Sequence, residues 1–382
     1  MPDGPIYLDH QATTPVDPRV LAAMLPWFTE RFGNPHSVDH AHGWTAEEAV
    51  EQARREVAAL IGAEAREIVF TSGATEANNL AIRGLAPALV AAGRCQIIAS
   101  PLEHPCVMAC LDTLASEGFT IRFLAVGPAG LVDPAEVASL LGPATGLVSV
   151  MAANHEIGTV QPIDEIGRLA RAAGALFHVD AAQAAGKIPL AMAGVDLMTL
   201  SAHKLYGPKG IGALAVRRTV RPLLKPLILG GGQEQGLRSG TVPVPLAVGF
   251  GAAAVLAGAE MGAETARLVQ RRDRLLDRLR GAGLIVHLHG DPVRRLAGNI
   301  NFRIDRLDAE TIIALVRDRV ALSTGAACAS AERAPSRVLR AIGLGDTEAL
   351  GALRIGLGRS TSEADVDAAA AALIEACREL GA

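Results

Sequence analysis

Cysteine is the first residue type that the sequence has little of. The 382 residues include five cysteines, at positions 95, 106, 110, 328 and 377. None of them forms a Cys-x-x-Cys pair, which argues against a zinc site of that type, and their spacing does not suggest a disulfide framework. We therefore expect free thiols, which survive in a reducing compartment.

The sequence also shows no large net charge, no signal-peptide pattern and no low-complexity segments. The formal net charge of −4 gives no reason to expect nucleic acid or a membrane as a partner. The opening residues Met1-Pro-Asp-Gly-Pro5 have neither the basic nor the apolar region of a signal peptide, so we expect a cytoplasmic protein. The uncharged stretch 241–259 is nearly long enough to cross a bilayer, but its prolines, glycines and alanines favour a buried helix.

The sequence does have the apolar content and the alternation of a large α/β protein. Half of its residues are apolar and a fifth are charged, which is typical of a folded chain. Apolar runs of strand length alternate with segments of helical spacing, and this predicts a mainly parallel sheet covered on both faces. The predicted strands are Glu67–Ser72, Cys95–Ser100, Ile121–Val126, Gly146–Ala152, Leu176–Asp180, Asp196–Ser201 and Gly210–Val216. The predicted helices between them are Ala74–Val90, His104–Ser116, Pro134–Leu141 and Ile163–Ala173.

The character of the chain changes after residue 259. A charged helix is predicted over Glu260–Arg280, followed by short strands and helices and a final helix over Asp365–Leu380. We expect a large domain over residues 15–258 that binds a cofactor. A smaller α+β domain would combine residues 1–14 with residues 259–382.

Two strand ends carry residues suited to a carbonyl cofactor with a phosphate group. The run 196–212 is apolar up to Ser201, then presents His203 and Lys204 before a glycine-rich turn. The strand ending at Asp180 lies about two dozen residues upstream, with Gln183 just beyond it. A lysine can hold an aldehyde as a Schiff base, and an aspartate can keep a pyridine nitrogen protonated. Because ligands bind at the carboxyl ends of parallel strands, these positions indicate a site for pyridoxal 5'-phosphate.

The chain resembles the cysteine desulfurases, the group that includes the iron–sulfur cluster and nitrogenase-maturation enzymes. The likeness keeps its order from the first ten residues to Arg359. It rests on Tyr7–Asp17, Phe32-Gly-Asn-Pro35, Phe70–Asn78, Asn154-His-Glu-Ile-Gly158, His178–Gln183, Ser201-Ala-His-Lys204, Arg238-Ser-Gly-Thr241 and Ser323–Ser330. The resemblance implies the type I fold of pyridoxal-phosphate-dependent transferases, which is aspartate-aminotransferase-like.

The resemblance also assigns residues to the cofactor. It implies that Ala74 and Thr75, at the start of a predicted helix, bind the phosphate together with Ser201 and His203. A helix N-terminus suits an anion, although Ser72-Gly-Ala-Thr75 could equally be an ordinary helix cap. His104 is implied to stack on the ring and to transfer protons, where a lone histidine is more often structural.

Further residues are implied to bind the substrate or to complete the cofactor site. Asn154 and Gln183 could reach the cofactor or the substrate with their amides. Arg354 is implied to bind the substrate carboxylate, with a structural ion pair as the alternative, and Asn34 is a further substrate contact. Thr241 is implied to reach the phosphate of a neighbouring subunit in a homodimer, where the alternative is a plain surface loop.

Cys328 decides the reaction that the resemblance implies. It lies among small residues in Ser323-Thr-Gly-Ala-Ala-Cys-Ala-Ser330, and a small buried cysteine would look similar. The implied reaction removes sulfur from L-cysteine, leaving L-alanine and a persulfide on Cys328, with Lys204 as the base and His104 as its acid/base partner. The sulfur would pass to an acceptor such as an iron–sulfur scaffold protein, with which Cys328 could transiently ligate a cluster.

Other readings remain open at this point. A selenocysteine lyase or an aminotransferase-type enzyme would use the same cofactor, and a catalytically silent sulfur-relay protein would share the fold. Cys106 and Cys110 lie one helical turn apart and are expected to be buried packing. His36, His40 and His42 form a tight cluster, but no cysteine or carboxylate at ligand spacing supports a metal site there.

Overall fold

The computed structural model describes residues 4–324 and 334–382. Cys328 therefore lies outside the described residues. The strands are β1 Ile6–Tyr7, β2 Ile68–Thr71, β3 Gln96–Ala99, β4 Thr120–Phe123, β5 Thr145–Ser149, β6 Leu176–Asp180, β7 Leu197–Ser201, β8 Gly212–Val216, β9 Val286–Leu288, β10 Asn299–Ile304, β11 Val320–Ala321, β12 Ser323–Thr324 and β13 Ala352–Gly356. The helices are α1 Pro18–Met24, α2 Pro26–Thr29, α3 Ala41–Leu60, α4 Ala74–Ala91, α5 Pro105–Ser116, α6 Pro134–Leu140, α7 Ile163–Ala172, α8 Val244–Gly281, α9 Ala309–Val316, α10 Arg337–Ala341, α11 Asp346–Leu350 and α12 Glu363–Glu379.

A seven-stranded sheet forms the centre of the larger part. Its order is β2-β8-β7-β6-β5-β3-β4, and every pairing is parallel except the two made by β8. Strands β5, β7 and β8 are buried along their whole length. Strands covered on both faces require continuous apolar runs, which is the pattern that the sequence shows. The prediction of a mainly parallel α/β sheet is confirmed.

The smaller part is built on an antiparallel sheet of four strands. Its order is β12-β13-β10-β9, and its core includes Ile300, Phe302, Leu353 and Leu373. The N-terminal segment joins this core, because Leu8 is fully buried in it and β1 pairs with β11. Residues 6–8 thus pack with the C-terminal part of the chain, in line with the expected domain.

One long helix connects the two cores, and the prediction of a separate helix beginning at Glu260 was wrong. We expected a charged helix to begin at Glu260, but α8 runs without a break over 38 residues. Its first half packs into the core of the large sheet as far as Ala257, and its second half packs into the smaller core from Leu268 onward. The expected boundary at 258/259 therefore lies inside α8, because a change in composition does not interrupt helical hydrogen bonding.

By length and composition, α8 is also a helix that could cross a membrane. Its apolar half packs against α3 and α1. Phe250, Ala253 and Ala254 on that half are almost completely buried in the large core. This packing accounts for the uncharged sequence of residues 244–259.

Candidate active site

A cavity of about 520 Å³ opens at the carboxyl ends of β6 and β7. Parallel strands end at the same sheet edge, so the side chains that follow them meet there. The structure brings most of the sequence-predicted site residues to this cavity: Ala74, Thr75, His104, Asp180, Gln183, Ser201, His203, Lys204 and Arg354.

Asp180 is the buried carboxylate of the cavity. It is the last residue of β6 and is 5% exposed. Asn78, on the first turns of α4, donates to its Oδ2 at 2.7 Å, and the backbone N–H of Ala182 donates to its Oδ1 at 2.9 Å. These two hydrogen bonds hold the carboxylate in one orientation.

Lys204 follows β7 in a short turn that redirects the chain into the cavity. Its Nζ donates to the backbone carbonyls of Gln11 and Ala12, at 2.6 Å each. The N-terminal segment therefore supplies the acceptors for this amine, 193 and 192 residues away in sequence. Thr14 secures the same contact, since its Oγ1 donates to the His203 carbonyl and accepts from the Tyr206 N–H.

One end of the cavity is suited to a phosphate. Helix α4 begins there with Gly73 as its N-cap, and no side chain accepts from its first N–H groups. Ser201 contributes a buried hydroxyl whose Oγ has no hydrogen-bond partner among the described residues. A helix N-terminus and an unpaired hydroxyl are donors that a phosphate can use. His203 lies beside them, with its Nδ1 3.0 Å from the Thr13 hydroxyl, and burial together with Lys204 lowers its pKa to about 4.

His104 lies at the N-terminus of α5, which it caps. Its Nδ1 accepts from the backbone N–H of Cys106 at 3.2 Å, so the neutral ring carries its proton on Nε2. Burial lowers the pKa of His104 and outweighs the opposing effect of Asp180, which leaves the ring neutral near pH 7. His155 approaches it edge-on, with ring centroids 5.3 Å apart. A neutral imidazole of this kind can lie over an aromatic ring and exchange a proton.

Arg354 reaches the cavity from β13 in the smaller sheet. Its Nη2 donates to Asp9 Oδ1 at 2.8 Å and its Nη1 to the His155 carbonyl at 3.2 Å. Its Nε is buried and has no hydrogen-bond partner in the described parts of the chain. The guanidinium thus makes the structural ion pair that we considered as the alternative, and it lines the cavity as well.

Three of the predicted residues that the structure describes do not line the cavity. Asn154 is fully buried, and its amide donates to the Leu102 carbonyl and accepts from the N–H groups of Glu156 and Ile157. Asn34 and Thr241 are exposed at the surface, and Asn34 Oδ1 accepts from the His36 N–H. The predicted Cys328 lies outside the described residues.

The structure adds residues that our sequence reasoning missed. Asn78 orients Asp180, and helical spacing could have indicated it, since it lies one turn after Ala74 on the same helix face. Cys106 was expected to be core packing. It does pack, partly buried, against the core that contains Cys110, and it also borders the cavity, where its thiol contacts both Asn78 and His104. Burial raises the pKa of the Cys106 thiol to about 12. No local signal connects Asp9 or Gln11 with this site, because their partners are far away in sequence.

The histidines near the N-terminus do not form a metal site in the described chain. His40 caps α3 and His42 stacks on Phe32. Across residues 4–324 and 334–382, no group of three or more His, Cys, Asp or Glu side chains could hold a metal ion.

Comparison with known proteins agrees with this geometry. A family model described as aminotransferase class-V matches residues 6–369. Proteins named cysteine desulfurase IscS from Rickettsia massiliae (strain Mtu5) and Rickettsia felis are both 49% identical to this chain, covering 95% and 96% of it and 88% and 89% of their own lengths. A solved NifS-like protein superimposes with a TM-score of 0.91 at 35% identity, over 98% of this chain and 99% of its own. A structure described as SspA in complex with cysteine has a TM-score of 0.81 at 37% identity, over 92% of this chain and 98% of its own.

The residues of the cavity fit pyridoxal phosphate on their own chemistry. Anion donors, a buried carboxylate and a neutral imidazole line one cavity, and an amine follows the neighbouring strand. Together with the match over residues 6–369, they establish that the chain belongs to the aminotransferase class-V family of pyridoxal-phosphate-dependent enzymes.

Proposed function

We propose that this protein is a cysteine desulfurase that takes sulfur from L-cysteine and releases L-alanine. The observation that carries the proposal is the meeting of Lys204, Asp180 and Arg354 at one cavity, in a chain that also has Cys328 within a run of small residues. A protein that only relays or scaffolds sulfur has no need of the first three. An aminotransferase of this fold has no need of the thiol.

The cofactor would be held by contacts at both ends. The N–H groups at the start of α4, with Ser201 and His203, bind its phosphate. Asp180 would accept a hydrogen bond from the protonated ring nitrogen, in an orientation set by Asn78. His104 would stack on the ring as a neutral imidazole. When bound, pyridoxal phosphate supplies an aldehyde that reacts with amines and a ring that withdraws electrons from the substrate.

The substrate's groups have matching partners in the cavity. Arg354 binds the carboxylate of cysteine, because a guanidinium can donate two parallel hydrogen bonds to it. Lys204 removes the Cα proton, and His104 transfers protons through Nε2. The Cys328 thiolate forms a bond to the substrate sulfur while the Cβ–S bond breaks. The electron pair of that bond returns to carbon, which is protonated on the way to alanine.

The relatives named cysteine desulfurase IscS support a role for the released sulfur in iron–sulfur cluster assembly. We infer an acceptor protein such as an iron–sulfur scaffold, with Cys328 as a transient cluster ligand during transfer. We propose the cytoplasm as the location, because the free thiols of Cys95, Cys106, Cys110 and Cys377 persist in reducing surroundings.

The test measures products in a single turnover without reductant. Wild-type enzyme should form one alanine and one protein-bound persulfide per site from L-cysteine. Cys328→Ser should keep the cofactor's absorbance and form neither product. Cys377→Ser is the matched control, because Cys377 is buried in the smaller core and its raised pKa keeps it a thiol. Undiminished persulfide in Cys328→Ser would refute the nucleophile assignment. Turnover of selenocysteine alone would favour a lyase.

Thr241 carries a second part of the proposal, the homodimer. Its exposed position, away from its own cavity, suits a hydroxyl that reaches the phosphate of a second subunit. Refolding Lys204→Ala together with a bulky Thr241 variant tests this arrangement. A shared site restores activity at one site per hybrid dimer, because one subunit's Lys204 then meets the other's Thr241. Hybrid dimers without any activity would contradict it.

A further inference from the structure

Lys187 is a lysine near the active site to which the proposed mechanism gives no role. It lies seven residues after Asp180 in the turn that follows β6, the residue is half-buried, and burial lowers the pKa of its amino group. Its Nζ donates to Gln183 Oε1 at 3.3 Å. Burying an amine has a substantial free-energy cost, so its presence here calls for a reason.

Gln183 connects Lys187 to the catalytic lysine. The Nε2 of Gln183 donates to the Gln11 carbonyl at 2.9 Å, and that carbonyl also accepts from Lys204 Nζ at 2.6 Å. A carbonyl oxygen only accepts and an amino group donates, so both neighbours select the same orientation of the Gln183 amide. Its NH₂ group then faces Gln11 and the cavity that Gln183 lines.

Lys187 also lines a small cavity of about 30 Å³ together with Glu264, whose carboxylate favours the charged form of the amine. His10 and Gln11 contribute buried acceptors to it: His10 Nδ1 is 2.8 Å from the Gly356 carbonyl, to which it can only donate, so Nε2 of the neutral ring is an acceptor. Neither His10 Nε2 nor Gln11 Oε1 has a hydrogen-bond partner among the described residues. This space admits about one water, which would accept from Lys187 and donate to these atoms.

We propose that Lys187 is a positioning residue that holds the Gln183 amide with its NH₂ group toward the cofactor cavity. In this orientation Gln183 donates to the Gln11 carbonyl and fixes it as an acceptor for Lys204. The inference rests on the proposed placement of pyridoxal phosphate in this cavity. It does not depend on which amino acid is the substrate. Lys187 touches neither cofactor nor substrate and acts only through Gln183.

The competing explanation is a long-range effect of charge, since a buried ammonium would also attract an anionic cofactor. A double-mutant cycle distinguishes this effect of charge from positioning through Gln183. We would titrate pyridoxal phosphate into apoprotein, following protein fluorescence, for wild type, Lys187→Met, Gln183→Leu and the double variant. An effect of charge persists when Gln183 is replaced, whereas positioning through Gln183 disappears.

Lys187→Met should raise the Kd for pyridoxal phosphate about three- to tenfold, the effect of one lost hydrogen bond. It should also shift the absorption maximum of the bound cofactor. The double variant should bind like Gln183→Leu alone. Lys187→Arg keeps N–H donors and should return the Kd to within about twofold of wild type. Lys225→Met, at an exposed lysine, is the control and should change nothing.

Three results would overturn the proposal. One is an unchanged Kd and spectrum in Lys187→Met. Another is a loss of cofactor affinity in the double variant that equals the product of the losses in the two single variants. That result would identify a long-range effect of charge as the cause. The third is a Lys187→Arg variant that binds as weakly as Lys187→Met. A wrong placement of pyridoxal phosphate in this cavity would give a different result. The wild type would then bind the cofactor no more tightly than a variant that carries both Lys204→Ala and Gln183→Leu.

Discussion

Replacing Lys187 by methionine should make the apoprotein more stable, and the gain should depend on pH. Burial lowers the pKa of Lys187 to about 7, with Lys204 as a further cause, whereas an unfolded lysine titrates near about 10.4. Between these values the unfolded chain binds more protons than the folded protein. The free energy of unfolding of the wild type therefore rises with pH through this range.

The size of the change follows from the two pKa values. Between pH 7.0 and 8.5 the folded Lys187 goes from half protonated to almost neutral, while the unfolded one stays charged. Integration over this range gives roughly 1–2 kcal/mol of added stability from this group. Lys187→Met lacks this gain but avoids the burial of a charge, so it should exceed the wild type in stability most at pH 7 and progressively less toward pH 8.5.

The assay is urea denaturation of cofactor-free protein at a series of pH values, because bound cofactor would add its own stabilisation. Subtracting the variant from the wild type cancels Glu156 and the buried histidines that do not interact with Lys187. His10 and His203 do interact with it, but burial lowers the pKa of both below the ordinary histidine value, so they stay neutral between pH 7.0 and 8.5. Lys225→Met should run parallel to the wild type, since Lys225 is exposed. A difference between wild type and Lys187→Met that stays constant from pH 7.0 to 8.5 would show that the amine is not titrating there, and the reasoning would fail.

Two further predictions concern the cavity, and a third concerns the buried ion pair between Arg54 on α3 and Glu234. Lys204→Ala should fold but lose the covalent cofactor and all turnover; cofactor retained after borohydride reduction would point to Lys209, which also lines the cavity. Asn78→Leu should weaken cofactor binding about tenfold or more, because Asp180 loses a hydrogen bond to its charge; an unchanged Kd by titration would contradict this. Arg54→Met should cost about 3–5 kcal/mol in denaturation, because it leaves buried Glu234 without its bidentate partner. Adding Glu234→Gln should recover most of that loss, since an amide oxygen can still accept from the Phe70 N–H, and no recovery would exclude the ion pair as its cause.

Local sequence patterns predicted many of the strands and helices. Strand β6 begins and ends where the pattern predicted it, and α4 and α5 differ from prediction by one residue. These elements have long apolar runs or clear helical spacing, with Gly or Pro at their ends. The break that we expected at Glu260 failed for a related reason. Charged residues continue a helix as readily as apolar ones, so only packing against two cores explains the length of α8.

The sequence by itself determined the chemistry available to this protein: an aspartate and a lysine at successive strand ends, a helix N-terminus beside them, and a thiol among small residues. The tertiary structure decided which distant groups hold that chemistry in place. Asp9 pairs with Arg354 and the Gln11 carbonyl accepts from Lys204, across 345 and 193 residues of sequence. Lys187 reaches the same carbonyl only through Gln183. Hydrophobic periodicity reports which face of an element is buried, but a polar contact between distant segments leaves no local pattern, because it depends on how the two cores close around the N-terminal strand.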